Sequence, residues 1–287
     1  PGWSATPVQQ RARVMMKLLS LIQSDKNSKE LQDAIIAENG KTRVDAEGDV
    51  ARGLEVIEHA CAMPTLMMGE SLGNISRNMD TVSIKQPLGV VGGICPFNFP
   101  AMIPMWMFAP AIACGNAFIL KPSERDPSVP LMLAELMEEA GLPKGILQVV
   151  NGDKESVDAI LDHPVIQSVG FVGSTPIAEY IYGRGCSNGK RVQCFGGAKN
   201  HMIIMPDADL DQVVDALIGS AYGSAGERCM AISVAVLVGD VGERIMPKLI
   251  ERTQTLKVLT GENLAAEMGP IVTQAAHDRI TGYIAQG

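Results

Sequence analysis

Gly89-Val-Val-Gly-Gly-Ile-Cys95, followed at once by Pro96-Phe-Asn-Phe-Pro100 and then by the apolar run Met102–Cys114, is the stretch on which the fold turns. Seven residues without a charge, three of them glycine, do not alternate as a half-exposed strand would. They read as a strand buried on both faces. The run after them has helix length. The pattern then repeats: apolar segments at Ala117–Leu120, Ile146–Val150 and Ser168–Val172 read as buried strands, and Pro127–Gly141 and Glu155–His163 between them as helices. Strand and helix in strict alternation predict a doubly wound parallel sheet covered on both faces, an α/β fold.

Working outward, Thr175-Pro176 opens another helix, with proline near its first position. Val192–Gly196 and His201–Met205 read as a strand pair, Asp209 to about Ser224 as a helix, Ala231–Val238 as a strand and Glu243–Thr255 as a helix. Towards the start, Thr6-Pro7 precedes a periodic helix over Val8–Ile22. Ser28 is the expected cap of a second helix ending at Gly40, and Val44, Val50, Leu54, Ile57 and Ala60 mark a third. Thr81–Gln86 alternates as a short strand. Two β-rich units meet near Gly197, which divides the chain into residues 1–196 and the start of a second α/β domain at 197–287. No repeat, low-complexity tract or linker interrupts it.

Hydrophobic residues make up 46% of the chain but aromatics only 4%, so aliphatic side chains and methionine must fill the core. With 24 basic against 32 acidic residues the net charge is −8, which argues against nucleic acid as a partner. The longest apolar run, Met102–Ile119, is broken by Pro104, Pro110 and Gly115 and is no membrane span. Six cysteines without a Cys-x-x-Cys pair, and four scattered histidines, give no metal-ligand spacing and suit a reducing compartment.

Three familiar motifs fail on counting. Gly40-Lys41-Thr42 has Ile35 where a phosphate loop needs glycine, Gly183-Arg184-Gly185 lacks the third glycine of G-x-G-x-x-G, and no Gly-x-Ser-x-Gly occurs. There remains a set of four segments: Cys95-Pro-Phe-Asn-Phe-Pro100, Lys121-Pro-Ser-Glu124, Phe171-Val-Gly-Ser-Thr175 and Gly226-Glu-Arg-Cys229. Each has a chemical reading. Cysteine is the most nucleophilic side chain near neutral pH and forms a thiohemiacetal with an aldehyde. Cys229 follows Gly223-Ser-Ala-Gly226, small residues that permit close approach. Lys121 and Glu124 follow a buried strand, at the sheet edge where α/β proteins bind ligands, as donor and acceptor for hydroxyls. Gly173-Ser174 joins a strand to a helix start that offers N–H groups to an anion.

In that order the four segments resemble those of the aldehyde dehydrogenase superfamily, and the resemblance spans essentially the whole chain. It implies NAD as cofactor, a first domain of entry helices and NAD-binding sheet, and a second, catalytic domain. Cys229 is then the nucleophile, and the Asn98 amide with the Cys229 N–H donates to the oxyanion, a type of contact worth about 3–4 kcal/mol. Pro96, Phe97, Lys121, Ser123, Glu124, Gly152, Gly173 and Ser174 are the expected cofactor residues. The Glu124 charge is expected to repel a 2′-phosphate and so favour NAD over NADP.

The superfamily's general base is a glutamate that opens a Glu-Leu-Gly-Gly stretch. Here the run is Phe195-Gly-Gly-Ala-Lys199, so that position is Phe195, and a phenyl ring cannot deprotonate water. A thioester on Cys229 would await another nucleophile, and coenzyme A is the natural thiol. With Gly197-Ala-Lys-Asn-His201 and Arg228-Cys-Met-Ala231, this resembles the CoA-acylating methylmalonate-semialdehyde dehydrogenases. Their substrate carries a carboxylate beta to the reacting carbon, leading to propionyl-CoA or acetyl-CoA with loss of CO2. Arg228, and less directly Arg52, are the expected carboxylate partners, since a guanidinium grips a carboxylate in bidentate fashion. Glu227 departs from the family's Gln. The sequence begins without Met and stops in a helix-like stretch, so it reads as a fragment. The family's Glu-x-Phe-Gly-Pro segment and oligomerising strand arm are expected beyond Gly287, and the fragment alone is expected to be inactive. The resemblance further implies small-molecule partners only, no membrane, a homo-oligomer (a dimer of dimers), and a location in bacterial cytoplasm or, in a eukaryote, the mitochondrial matrix. A hydrolytic aldehyde dehydrogenase and a non-catalytic member of the fold are the rival readings.

Overall fold

The computed structural model describes residues 2–286. Its elements begin with α1 (Gly2–Ala5), α2 (Val8–Ile22), α3 (Asp25–Asn39), α4 (Arg43–Cys61), α5 (Met63–Leu66) and a hairpin of β1 (Ser71–Ser76) and β2 (Met79–Val82). Then come β3 (Val90–Ile94), α6 (Met102–Ala113), β4 (Ala117–Lys121), α7 (Ser128–Glu139), β5 (Leu147–Val149), α8 (Lys154–Asp162), β6 (Ile166–Val172), α9 (Thr175–Ser187) and β7 (Arg191–Phe195). The chain continues through β8 (Asn200–Ile204), α10 (Leu210–Leu217), β9 (Ile232–Leu237), α11 (Val241–Gln254) and α12 (Gln274–Gln286). Among the described residues no helix is long and apolar enough to cross a membrane.

Two compact units emerge: residues 1–31 with 49–196, and residues 32–48 with 197–287. The first holds a five-stranded parallel sheet in the order β5-β4-β3-β6-β7. Order runs outward from β3 to β4 and β5, then jumps back to β6 on β3's other side. That reversal is a topological switch point, and the carboxyl ends of β3 and β6 flank it. Ile94, Val157, Ile160, Leu161, Ile166, Val169, Phe171, Ala178 and Ile181 form the core between sheet, α8 and α9. Glycine in β3 has a packing reason. A Cβ at Gly93 would lie 2.5 Å from the Phe118 ring and 2.9 Å from Met107 Sδ, so only glycine lets α6 settle this close. On α2, Ala12, Met15, Leu18 and Ile22 are buried at helical spacing, while Arg11 turns inward and donates from Nε to the Ala113 carbonyl at 2.9 Å, countering the negative end of α6.

The second unit has a parallel pair, β8 and β9, over a core of Ile204, Val214, Leu217, Ile218, Val241 and Ile245. Asp209 caps α10, accepting from the Asp211 and Gln212 amides at 3.0 and 3.1 Å.

Several expectations are corrected. Residues 32–48 cluster with the second unit rather than with the rest of 1–196. Backbone packing there explains why. A Cβ on Gly261 would meet the Lys41 carbonyl oxygen at 1.9 Å, and one on Gly269 the Gly40 carbonyl oxygen at 2.2 Å. The segments expected to pair near Gly197 lie in different sheets, β7 beside β6 and β8 beside β9. The strand placed at Thr81–Gln86 is β2, ending at Val82 and paired with β1, whose six residues are all exposed and give no apolar signal. The cap of α3 is Ser24, whose Oγ accepts from the Asn27 amide at 3.3 Å, not Ser28. The helix expected to reach Ser224 ends at Leu217 and gives way to a π-turn, Ile218–Tyr222.

Candidate active site

In the first unit, four strand exits gather the expected cofactor residues at the carboxyl edge of the sheet. After β3, Cys95 is tied to β4 by its N–H, which donates to the Lys121 carbonyl at 3.0 Å. Pro96, Phe97 and Asn98 then turn away from the sheet, all half-buried. The Phe97 ring lies under the Arg125 guanidinium, 4.8 Å from its carbon to the ring centre. Lys121 closes β4 with its side chain 5% exposed, and its Nζ donates to Glu124 Oε2 at 3.2 Å. Burial works to raise the Glu124 carboxyl's pKa, but a backbone hydrogen bond and the Lys121 ammonium outweigh it, so the group titrates below its ordinary value. Glu124 itself stays half-exposed, so a buried cation and an accessible anion stand side by side. Ser123 is buried and its Oγ accepts from the Arg125 amide at 3.1 Å.

At the exit of β6, the Gly173 N–H donates to the Phe195 carbonyl at 3.0 Å. A Cβ on Gly173 would meet the Phe171 ring at 2.4 Å, and Ser174 stands at the N-cap of α9. Gly152, with φ of +136°, is left-handed and packs on Ser156. Phe195, at the end of β7, is 55% exposed. Arg52 sits on α4 with its guanidinium two-thirds exposed and paired within its own helix to Glu55 at 3.0 Å. It is an ordinary i, i+3 surface pair, and nothing local distinguishes it as a carboxylate site.

The second unit holds the segment expected to carry the nucleophile. Residues 223–226 form a tight turn in which Ser224, Ala225 and Gly226 all take the left-handed region, at φ of +53°, +54° and +73°. Left-handed geometry is ordinary for glycine and strained for the other two. Cys229 follows, exposed. Its carbonyl accepts from Asn200 Nδ2 at 2.9 Å, and the same nitrogen reaches the Ala231 carbonyl at 3.0 Å. One carboxamide thus fastens the turn to the start of β8. Sequence reasoning assigns Asn200 no role, because its partners lie about thirty positions away. Arg228 is held by Asp45, an ion pair with Asp45 12% exposed, and by the Gly219 carbonyl at 3.2 Å. No sequence pattern points to the Asp45 partner either.

Four of the other thiols are poor nucleophiles by position. Burial pushes the Cys95 thiol far up, Lys121 opposing and Asp126 adding to the shift. Cys194 is raised by burial and then by Cys186, while Cys61 and Cys114 are raised chiefly by burial. Among the described residues no group of His, Cys, Asp and Glu is arranged to hold a metal ion.

A doubly wound sheet with a charged donor and acceptor at its switch-point edge, and a separate unit presenting an exposed cysteine on a strained turn, define the class. The chain belongs to the aldehyde dehydrogenase family, whose sequence profile it matches over residues 1–287. More particularly, it is 55% identical over 288 residues to the malonate-semialdehyde dehydrogenase of Pseudomonas aeruginosa, covering 100% of this chain and 58% of that one. It is 47% identical to the human mitochondrial acylating methylmalonate-semialdehyde/malonate-semialdehyde dehydrogenase, covering 100% of this chain and 53% of that protein. A candidate methylmalonate-semialdehyde dehydrogenase of Sinorhizobium meliloti 1021, solved with NAD, superposes with a TM-score of 0.97 at 60% identity, over 99% of this chain and 58% of that one. The chain therefore spans somewhat more than half the length of these relatives.

Proposed function

We propose that the full-length protein oxidises malonate or methylmalonate semialdehyde with NAD and delivers the acyl group to coenzyme A, losing CO2. The observation that carries the reading is the turn bearing Cys229: an exposed thiol, its backbone fastened by Asn200, directly after an arginine anchored by Asp45. The names of the similar proteins support the substrate class.

In this reading the Cys229 sulfur attacks the aldehyde carbon and the carbonyl oxygen becomes an oxyanion. Asn98 carries the amide that the family resemblance assigns to that charge. A bound NAD would supply the acceptor for the hydride that this carbon gives up, and that loss leaves a thioester on Cys229. The residues at the sheet edge fit such a dinucleotide: Lys121 and Glu124 offer a donor and an acceptor to ribose hydroxyls, the glycine-lined start of α9 suits a pyrophosphate, and the Glu124 charge disfavours a 2′-phosphate. A carboxylate beta to the thioester carbonyl loses CO2 readily, because the electrons of the breaking C–C bond pass into that carbonyl. The proton then added to the α-carbon completes an acetyl or propionyl thioester. Phe195, which provides no carboxylate to activate water, leaves this thioester for the CoA thiol, which takes the acyl group and returns Cys229 to its free form.

Rapid mixing of the full-length protein with NAD and malonate semialdehyde tests the reading. Without CoA, a burst of about one NADH per site should precede a slow steady rate, and CoA should restore turnover and yield acetyl-CoA. Free acid released at full speed without CoA would overturn the acylating step, and no NADH at all would overturn the dehydrogenase reading.

A further inference from the structure

Arg228 is gripped from three sides within the second unit. Its Nη2 meets Asp45 Oδ1, its Nη1 donates to the Gly219 carbonyl at 3.2 Å, and its guanidinium lies over Gly223. A Cβ at Gly223 would stand 2.9–3.0 Å from Nη1, Cζ and Nη2, so the arginine occupies the space a side chain there would need. Gly223 itself has φ of −54°, which any residue adopts. Its lack of a side chain thus matters for room rather than for backbone freedom. Asp45 is a firm anchor. It lies in the first turn of α4, its amide donates to Thr42 Oγ1 at 3.2 Å, and its carboxylate is largely buried. Two of the guanidinium's five N–H groups are used in these contacts, leaving others free for a second carboxylate.

We infer that Asp45 is a positioning residue: by fixing the guanidinium of Arg228, the residue before Cys229 in the chain, it sets the preference for aldehydes that carry a carboxylate. This rests on the reading of Arg228 as the substrate-carboxylate partner. A long flexible arginine loses rotamer freedom when it binds, and an ion pair that has already ordered it removes that cost from substrate binding. The opposing effect is competition, since the Asp45 charge repels an incoming anion. Positioning prevails here because Asp45 and the Gly219 carbonyl engage only part of the donor fork. The capped helix start gives a bland alternative, that Asp45 serves α4 alone.

The experiment compares malonate semialdehyde with propanal, three-carbon aldehydes with and without the carboxylate, using full-length protein at saturating NAD and CoA. In Asp45→Ala, KM for malonate semialdehyde should rise on the order of ten-fold, as for a lost charge-assisted contact, with kcat/KM for propanal held. Asp45→Asn, which keeps an acceptor but not the charge, should fall between Asp45→Ala and the unaltered protein. Gly223→Ala presses on the guanidinium from the opposite side and should also lower the selectivity ratio, which decides the matter if the Asp45 variants fail to fold. An unchanged or increased ratio in the Asp45 variants, including an equal loss on both aldehydes, overturns the inference. Arg228→Leu separates the two levels. If it abolishes selectivity while the Asp45 variants do not, the carboxylate reading stands and the role of Asp45 falls; if it leaves selectivity intact, both fall.

Discussion

The loop leaving β4, residues 121–126, keeps to negative φ and is stiffened by side chains: Lys121 on Glu124, Ser123 under the Arg125 amide, Arg125 over Phe97. The segment 218–229 in the other unit is stiffened by its backbone. A π-turn runs into three consecutive left-handed residues, and Asp45 and Asn200 clamp Arg228 and Cys229 just beyond them. The two suit different tasks. Recognition of hydroxyls needs charges at set places, which can be tuned one at a time. Presentation of a reactive thiol needs the main chain itself in one conformation, so single changes there act on everything downstream.

The sharpest test of this contrast is Cys229→Ala. It should lower NADH formation on the order of 10⁴-fold or more, while NAD binding, measured by fluorescence quenching, stays within error. Residual activity near the normal rate would assign the chemistry to another thiol, and the exposed Cys186 would be the one to examine. A much smaller change is expected in the β4 loop. Glu124→Gln removes a half-exposed charge and should shift the NADP to NAD ratio of kcat/KM towards NADP by roughly three- to five-fold. An unmoved ratio would take Glu124 off the ribose. Smallest is Ala225→Gly. Relief of left-handed strain, about 1–2 kcal/mol, less the extra flexibility of glycine, should leave a gain of about 0.5–1 kcal/mol, a rise of roughly 1–4 °C in Tm. A neutral or lowered Tm would mean that the turn is not strained and that the contrast between the loops is wrong.

The same contrast explains how much the sequence discloses. Strands β3 and β4 fall within a residue of their apolar runs, because a buried parallel strand has no polar face to blur it. The place of Lys121, Glu124 and Gly173 at strand exits is legible for the related reason that exits follow from strands. β1 is not legible because Ser71, Gly73 and Asn74 bury nothing, and the hairpin is held by main-chain pairing and by Asp80, whose Oδ1 accepts from the Asn74 amide at 2.8 Å. The left-handed turn is invisible since Ser224 and Ala225 are not residues that signal positive φ. Asp45 and Arg228 stand 183 positions apart, and no local pattern connects them. Arg52 is a different case: family resemblance alone places it at the substrate carboxylate, and its local contact here is a surface pair with Glu55.

Residues 32–48 have a consequence for how the molecule is made. Their Gly40-Lys41 backbone is covered by Gly261 and Gly269, so this early segment closes against chain more than two hundred residues later. A ribosome adding about 5–20 residues per second needs roughly 10–40 s to reach from position 41 to position 261. For that interval the segment is outside the exit tunnel without its partners, while the sheet of the other unit can already assemble. Vectorial synthesis therefore leaves a stretch that includes Ile35 and Ile36, both buried in the finished fold, waiting in the open. Nascent-chain proteolysis should find 32–48 cleavable long after residues 90–196 have become resistant.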